Sequence, residues 1–201
     1  MMNLDFPNRT QFLDALQTQL EPNIFNHSLA LEACMAGLYD YLELNNRLTP
    51  VDPPRSDWLL AGLIHDIDYS GEFKDAHPTK TNAALAKYNV SVDQNIIDII
   101  LAHDAQQGIP KSNLAQWSIY CADSLTGLIV ATALVMPTRK LADVKLSSVI
   151  KRFLKEPKFA AGTRRDEVSE CINPLGLNLP LETFIEICLK SMTEISSDIG
   201  L

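Results

Sequence analysis

A chain of 201 residues, 46% of them hydrophobic, carries enough apolar material for one full core without disulfide staples. Its formal charge of −8 argues against general nucleic-acid binding, and its longest apolar stretch, near Leu128 to Met136, is too short to cross a bilayer. The N-terminus lacks the basic-then-apolar layout of a signal peptide, and Cys34, Cys121, Cys171 and Cys188 form no CxxC pair. A soluble, cytoplasmic protein with reduced, buried thiols is expected.

Helical periodicity dominates, and no alternating strand-turn-strand pattern occurs. Asn8 to Leu20 reads as a first helix that Pro22 ends. A second begins near Asn26, a good N-cap, and runs to about Asn45. In it His27 precedes Leu31, Cys34 and Leu38 by four, seven and eleven residues and therefore faces inward with them. Asn46 to Arg55 is a proline-rich loop, and Ser56 caps a third helix, the apolar run Leu59-Leu-Ala-Gly-Leu-Ile, which ends in the pair His65-Asp66. Burying an imidazole and a carboxylate without partners would cost several kcal/mol, on the order of 2–7 for a neutral polar group and more for a charge.

The polar stretch Tyr69 to Ala76 reads as a cover over a site. A helix opening at His77-Pro78, with proline at its first position, continues to Tyr88. The next starts at Ser91 or Asp93, and its apolar face, Ile96, Ile99 and Ile100, continues to His103. Gly108-Ile-Pro110 ends it. Ser112 to about Met136 is the longest apolar-rich element, interrupted by Asp123 and stopped by Pro137. Shorter helices over 143–155 and 164–172 and an amphipathic one from about Leu179 to Ile199 complete an all-α chain: one helical domain, with a core over about 22–137 and a C-terminal extension over about 138–201.

Each candidate residue is ordinary alone; their joint pattern is not. The chain has four histidines, and three of them lie on or at the edge of an apolar helical face. Asp66 and Asp123 interrupt apolar runs where a charge needs a partner. One metal centre accounts for all of them, because neutral imidazole and carboxylate are standard N and O ligands for divalent ions.

In that order, His27, His65-Asp66 and Asp123 resemble the HD superfamily of metal-dependent phosphohydrolases, and the intervening His77 and His103 match the subset that holds two metals. The stretches around Asp66, His77, His103 and Asp123 are similar to iron-dependent HD enzymes that hydrolyse dinucleoside tetraphosphates symmetrically. Those enzymes usually carry a lysine shortly after the doublet, where this chain has Ile67-Asp68-Tyr69. The later stretch, from Ala122-Asp-Ser-Leu-Thr-Gly-Leu-Ile through Lys140-Leu-Ala-Asp-Val-Lys145 to Phe159-Ala-Ala-Gly162, resembles predicted HD hydrolases of unassigned substrate.

The resemblance implies metal ligands His27, His65, Asp66, His77, His103 and Asp123. In a paired site Asp66 would be the bridging carboxylate, His27, His65 and Asp123 would complete one ion's shell, and His77 and His103 the other's. Two divalent ions are expected, with iron or manganese favoured and magnesium, cobalt, zinc and nickel open. Asp66 and Asp68 are the candidate catalytic carboxylates, Asp68 as the group that orients a water or shuttles its proton.

Between Arg139 and Arg165 nine Lys/Arg stand against two acids. Arg139, Lys140 and Lys145 are the candidates for binding an anionic substrate, a nucleotide or another small phosphate ester, with Lys151, Arg152, Arg164 and Arg165 behind them. Ser124 and Thr126 are possible hydrogen-bond donors near Asp123. The alternative function is a di-iron oxygenase of the inositol-oxygenase type, which uses the same ligand order; a non-catalytic metal clasp is a third.

Overall fold

Two long, largely buried helices organise the chain. In the computed structural model, which describes residues 2–201, these are α2 (Pro22–Leu44) and α6 (Leu114–Leu134). Around them lie α1 (Arg9–Gln19), α3 (Arg55–Ile64), α4 (Thr81–Ala86), α5 (Gln94–Leu101), α7 (Leu146–Lys155), α8 (Arg165–Ser169) and α9 (Leu181–Glu194). Four short 3-10 turns, Gly71–Ala76, Ala105–Gln107, Leu141–Asp143 and Glu170–Ile172, complete the regular structure, and the described residues contain no strand. The fold is all-α.

In α2 every residue from Ser28 to Ala36 is buried, because α1, α3, α6 and α9 pack around it. α6 packs against α2, α5, α7, α8 and α9, with Gly127 and Leu134 on its open side. The outer helices are amphipathic instead. Ile96, Ile99 and Ile100 of α5, Val149 and Phe153 of α7, and Phe184, Ile185, Cys188, Leu189 and Met192 of α9 turn inward. Each large side chain so buried contributes about 1.5–3 kcal/mol. Buried side chains from Phe6 to Ile199 form a single cluster, so residues beyond 138 share the core of 22–137. All four cysteines are free and buried in it.

α2 and α3 approach closely. A Cβ on Gly62 would stand 2.9 Å from Met35 Cγ and 3.1 Å from both Glu32 Cα and Leu31 O, so only glycine lets the two helices meet here. This contact sets α3 flush against α2 just before its last turn delivers His65. Glu32, fully buried on α2, receives Arg9 from α1 through two bonds of 2.7 Å. Burial pushes the Glu32 carboxyl upward, with Arg9 opposing.

Several expected boundaries shift, each for a local reason. Pro22 does not merely end α1; its fixed φ and missing N–H suit the first position of a helix, and α2 starts there. Asn26 is therefore inside α2, where its amide donates to Ile199 O at 3.3 Å instead of capping. Ser56 is likewise internal, since α3 starts at Arg55 after Pro54. No helix opens at His77-Pro78. That peptide bond is cis, His77 is extended, and α4 begins only at Thr81, in keeping with the bias of a pre-proline residue away from helix. The start of α6 is capped by Asn113, whose side chain accepts from Gln116 N at 3.0 Å.

The membrane expectation also needs correction in one respect. With 21 residues, α6 is long and apolar enough to cross a bilayer by length and composition. Its position between five other helices, with Asp123 at its middle, is that of a core helix.

Candidate metal centre

Each of the four imidazoles spends one nitrogen on the scaffold and turns the other inward. His65, the residue after α3, has Nδ1 at 2.9 Å from Gly62 O, and His103, just beyond α5, has Nδ1 on Ile100 O. A carbonyl only accepts, so both Nδ1 atoms carry the proton. His27 Nδ1 lies 2.9 Å from Thr126 Oγ1, whose own proton goes to Asp123 O at 2.7 Å; the hydroxyl thus accepts from the imidazole. His77 Nδ1 meets Asp68 Oδ1 at 2.7 Å. Every Nε2 is left with its lone pair facing the same space.

Those lone pairs approach one another closely. His27 and His65 place their Nε2 atoms 3.1 Å apart, and His77 and His103 do the same at 3.1 Å. Two acceptors at that separation repel unless a cation lies between them. A proton can relieve one such contact, but carboxylate oxygens converge on the same points. Asp66 Oδ2 is 3.6 Å from His27 Nε2 and 3.4 Å from His65 Nε2, while its other oxygen, Oδ1, is 3.5 Å from His77 Nε2. Asp123 Oδ1 adds a contact of 2.9 Å to His27 Nε2 and 3.7 Å to His65 Nε2. An ion with bonds of about 2.1 Å has ligand-to-ligand edges of roughly 3.0–3.4 Å. The two Nε2 pairs and the Asp66–His65 contact lie in that range, and the other spacings, from 2.9 to 3.7 Å, fall within about 0.3 Å of it.

The side chains thus form two buried groups that can each hold a metal ion, His27, His65 and Asp66 with Asp123 beside them, and Asp66, His77 and His103. Asp66 belongs to both, one oxygen to each.

The charges are tuned to match. Burial would raise the Asp66 and Asp123 carboxyls, yet His65 and His27 hold Asp66, and His27 holds Asp123, well below the usual carboxylate range. Burial alone would lower His27 and His77; Asp123 and Asp66 raise the first, Asp68 and Asp66 the second. For His103 burial, aided by the neighbouring His65 and His77, outweighs the pull of Asp123 and Asp66 and pushes it down to about 4.

All six expected ligands come together, but the roles of other residues change. Asp68 is fully buried, with Oδ1 on His77 and Oδ2 accepting from Lys80 N at 2.8 Å. Fully buried and outside the cavity lining, Asp68 holds His77 in place. Arg139, Lys140 and Lys145 are exposed and do not line the cavity at the centre. After Pro137 ends α6, Leu141 is buried and pins the following turn against α6 and α9, leaving its basic neighbours in solvent.

Arg164 reaches the site instead. Its Nη2 donates to Asp123 Oδ2 and, at 3.4 Å, to His103 O; its Nε donates to Glu167 Oε2. Burial opposes the charge, but Asp123 and Glu167 raise the Arg164 pKa further. Arg165 makes this placement possible. Its guanidinium bonds the carbonyls of Arg152, Phe153, Glu156 and Phe159, folding the loop that carries residue 164. Ser124 ties that loop to α6 by accepting from Arg164 N at 3.2 Å.

Above the centre lies a cavity of about 620 Å³, lined by ligands together with Tyr69, Lys74, Gln106, Arg164 and the 160–163 loop. Tyr69 and Lys74 belong to the polar stretch expected to cover the site, although neither stands out in the sequence. Lys74 lies over the Tyr69 ring at 5.4 Å, and that ring packs edge-on against His77.

Comparison with models of protein families, with curated proteins and with solved structures finds no match to this chain.

Proposed function

We propose that the protein is a metal-dependent phosphohydrolase of the HD type, acting on a nucleotide or another small phosphate ester with two divalent ions, iron or manganese being favoured. The observation that carries this reading is the division of Asp66, one oxygen toward each of two imidazole pairs whose lone pairs face inward. Bound divalent ions would supply the Lewis acidity that polarises phosphate and acidifies water at neutral pH.

The chain's own residues do the rest. Gly62 O, Ile100 O, Thr126 and Asp68 fix each ring in the tautomer that presents Nε2, the usual way a protein orients metal-binding imidazoles. Arg164 and Lys74 line the cavity and supply positive charge for phosphate oxygens. With Nε and Nη2 engaged by the protein, Arg164 retains Nη1 for a ligand. The cavity volume lies within the range of about 300–1,000 Å³ usual for small-ligand sites.

The test is phosphate release from a panel of nucleotides and phosphate esters, using protein reconstituted with iron or manganese, in air and under nitrogen. Release that is equal in both supports hydrolysis. An oxygen-requiring reaction without phosphate release would instead support the di-iron oxygenase reading.

A further inference from the structure

Next to the polar cavity is a second one, of about 320 Å³, with a different character. It is lined by Asn23, Asn26, Val130, Leu134 and the Ile199–Leu201 segment, and it shares His27 and Gly127 with the cavity over the metal centre. Its exposed lining is mainly apolar. The Asn26 bond to Ile199 O holds the 199–201 segment against α2 and so builds one wall.

Gly127 is the informative residue. It lies in the interior of α6, where glycine is less favourable than alanine. Nothing in its surroundings requires glycine: an added Cβ would meet no atom within 4 Å. Unlike Gly62, it permits no close approach of helices. What the missing side chain does is leave free space where the two cavities share a wall, one turn beyond Asp123.

On the hydrolase reading, we infer that the substrate is a phosphate ester of an apolar alcohol, with the phosphate in the polar cavity and an aliphatic group passing Gly127 into the second. The volume suits such a group, since it lies at the lower end of the range of about 300–1,000 Å³ usual for small-ligand sites. Arg164 and Lys74 border only the polar cavity, so charge and apolar surface are segregated as an amphiphilic ester requires. The polar lining contributed by Asn23 and Asn26 is confined to one side, that of α2.

The experiment is calorimetric binding of ethyl-, butyl-, hexyl- and octylphosphonate to the manganese-loaded protein, with kcat/KM for the corresponding alkyl phosphates measured in parallel. Affinity is expected to rise by up to about fourfold for each methylene that becomes buried. The octyl-to-ethyl ratio should collapse at least tenfold in Gly127→Leu, which fills the passage, and fall in Val130→Asn, which makes the far wall polar. Equal affinity across the series in the wild type, or a ratio unchanged in both variants, would overturn the inference. Those outcomes alongside phosphate release would leave the hydrolase reading standing. Chain-length-dependent phosphonate binding without any release would retain the apolar subsite and remove the hydrolase reading.

Discussion

The two halves of the centre are made differently. His27, His65 and Asp123 come from α2, the end of α3 and α6, elements locked by the main core, and His27 is backed by a neutral hydroxyl, Thr126. His77 stands in an extended segment between a 3-10 turn and the short helix α4, and it is backed by a buried carboxylate, Asp68. Helix packing fixes the first half, and it fixes His103 at the end of α5 in the second. For His77 one side chain does what a helix does elsewhere, since Asp68 holds both the His77 ring and the backbone N–H of Lys80. A short loop can therefore carry a metal ligand if a buried charge ties it at two points.

The substitution that reaches both halves at once should have the largest effect. Asp66→Ala removes an oxygen from each group and is expected to abolish bound metal and reduce activity by more than about a hundredfold, with helix content by circular dichroism largely retained. His65→Ala should also remove activity and most of the metal. If both variants kept the wild-type metal content, the ligand assignment would be wrong.

Asp68→Asn separates the halves. Metal affinity in the His77–His103 group should fall by about 10–100-fold while the His27 group keeps its ion, lowering the metal-to-protein ratio by half. Loss of turnover with full metal content would instead restore a direct catalytic role for Asp68. Thr126→Val is the matching change on the other side, with an expected loss of about tenfold because the partner removed is uncharged.

Gly62→Ala probes the helix packing that the first half depends on. The new methyl must displace Met35 or push α2 and α3 apart, at a cost of about 1–3 kcal/mol and several degrees in Tm. Metal bound through His65 should weaken with it; an unchanged Tm would show that the interface yields more easily than its geometry implies.

Acidification should affect the halves together. His27 and His77 are both raised by neighbouring carboxylates, so protons compete for one imidazole in each group as pH falls below neutral. Metal retained after desalting should decrease from pH 8 to pH 5. His103, at about 4, takes no part in that range. The smallest effect expected is that of Lys140→Ala, an exposed residue away from the cavity, whose KM should stay near wild type.

How far the sequence revealed this arrangement depended on the kind of signal. Periodicity exposed the buried helices, and the interruption of apolar runs by His65-Asp66 and Asp123 marked the centre. Four histidines, each needing a partner, made convergence the simplest arrangement. Pro22 was ambiguous, since proline ends one helix and begins another equally well. The function of Asp68 depended on a tertiary contact nine residues away, which no local pattern encodes.

The basic residues were least legible. Nine cations in 27 residues look alike in sequence, but the fold uses Arg165 to shape a loop, aims Arg164 at Asp123 and leaves Arg139, Lys140 and Lys145 in water. Charge density located the segment but not the residue. Lys74, isolated in a polar stretch, gave no signal of its own.

The most direct measurement is elemental analysis of protein purified without added metal and then equilibrated with iron or manganese. About two ions per chain are expected in the wild type, one in Asp68→Asn and none in Asp66→Ala. A wild-type chain that takes up no divalent ion under any of these conditions would contradict the account, since the facing imidazole nitrogens would then be reconciled by protons alone.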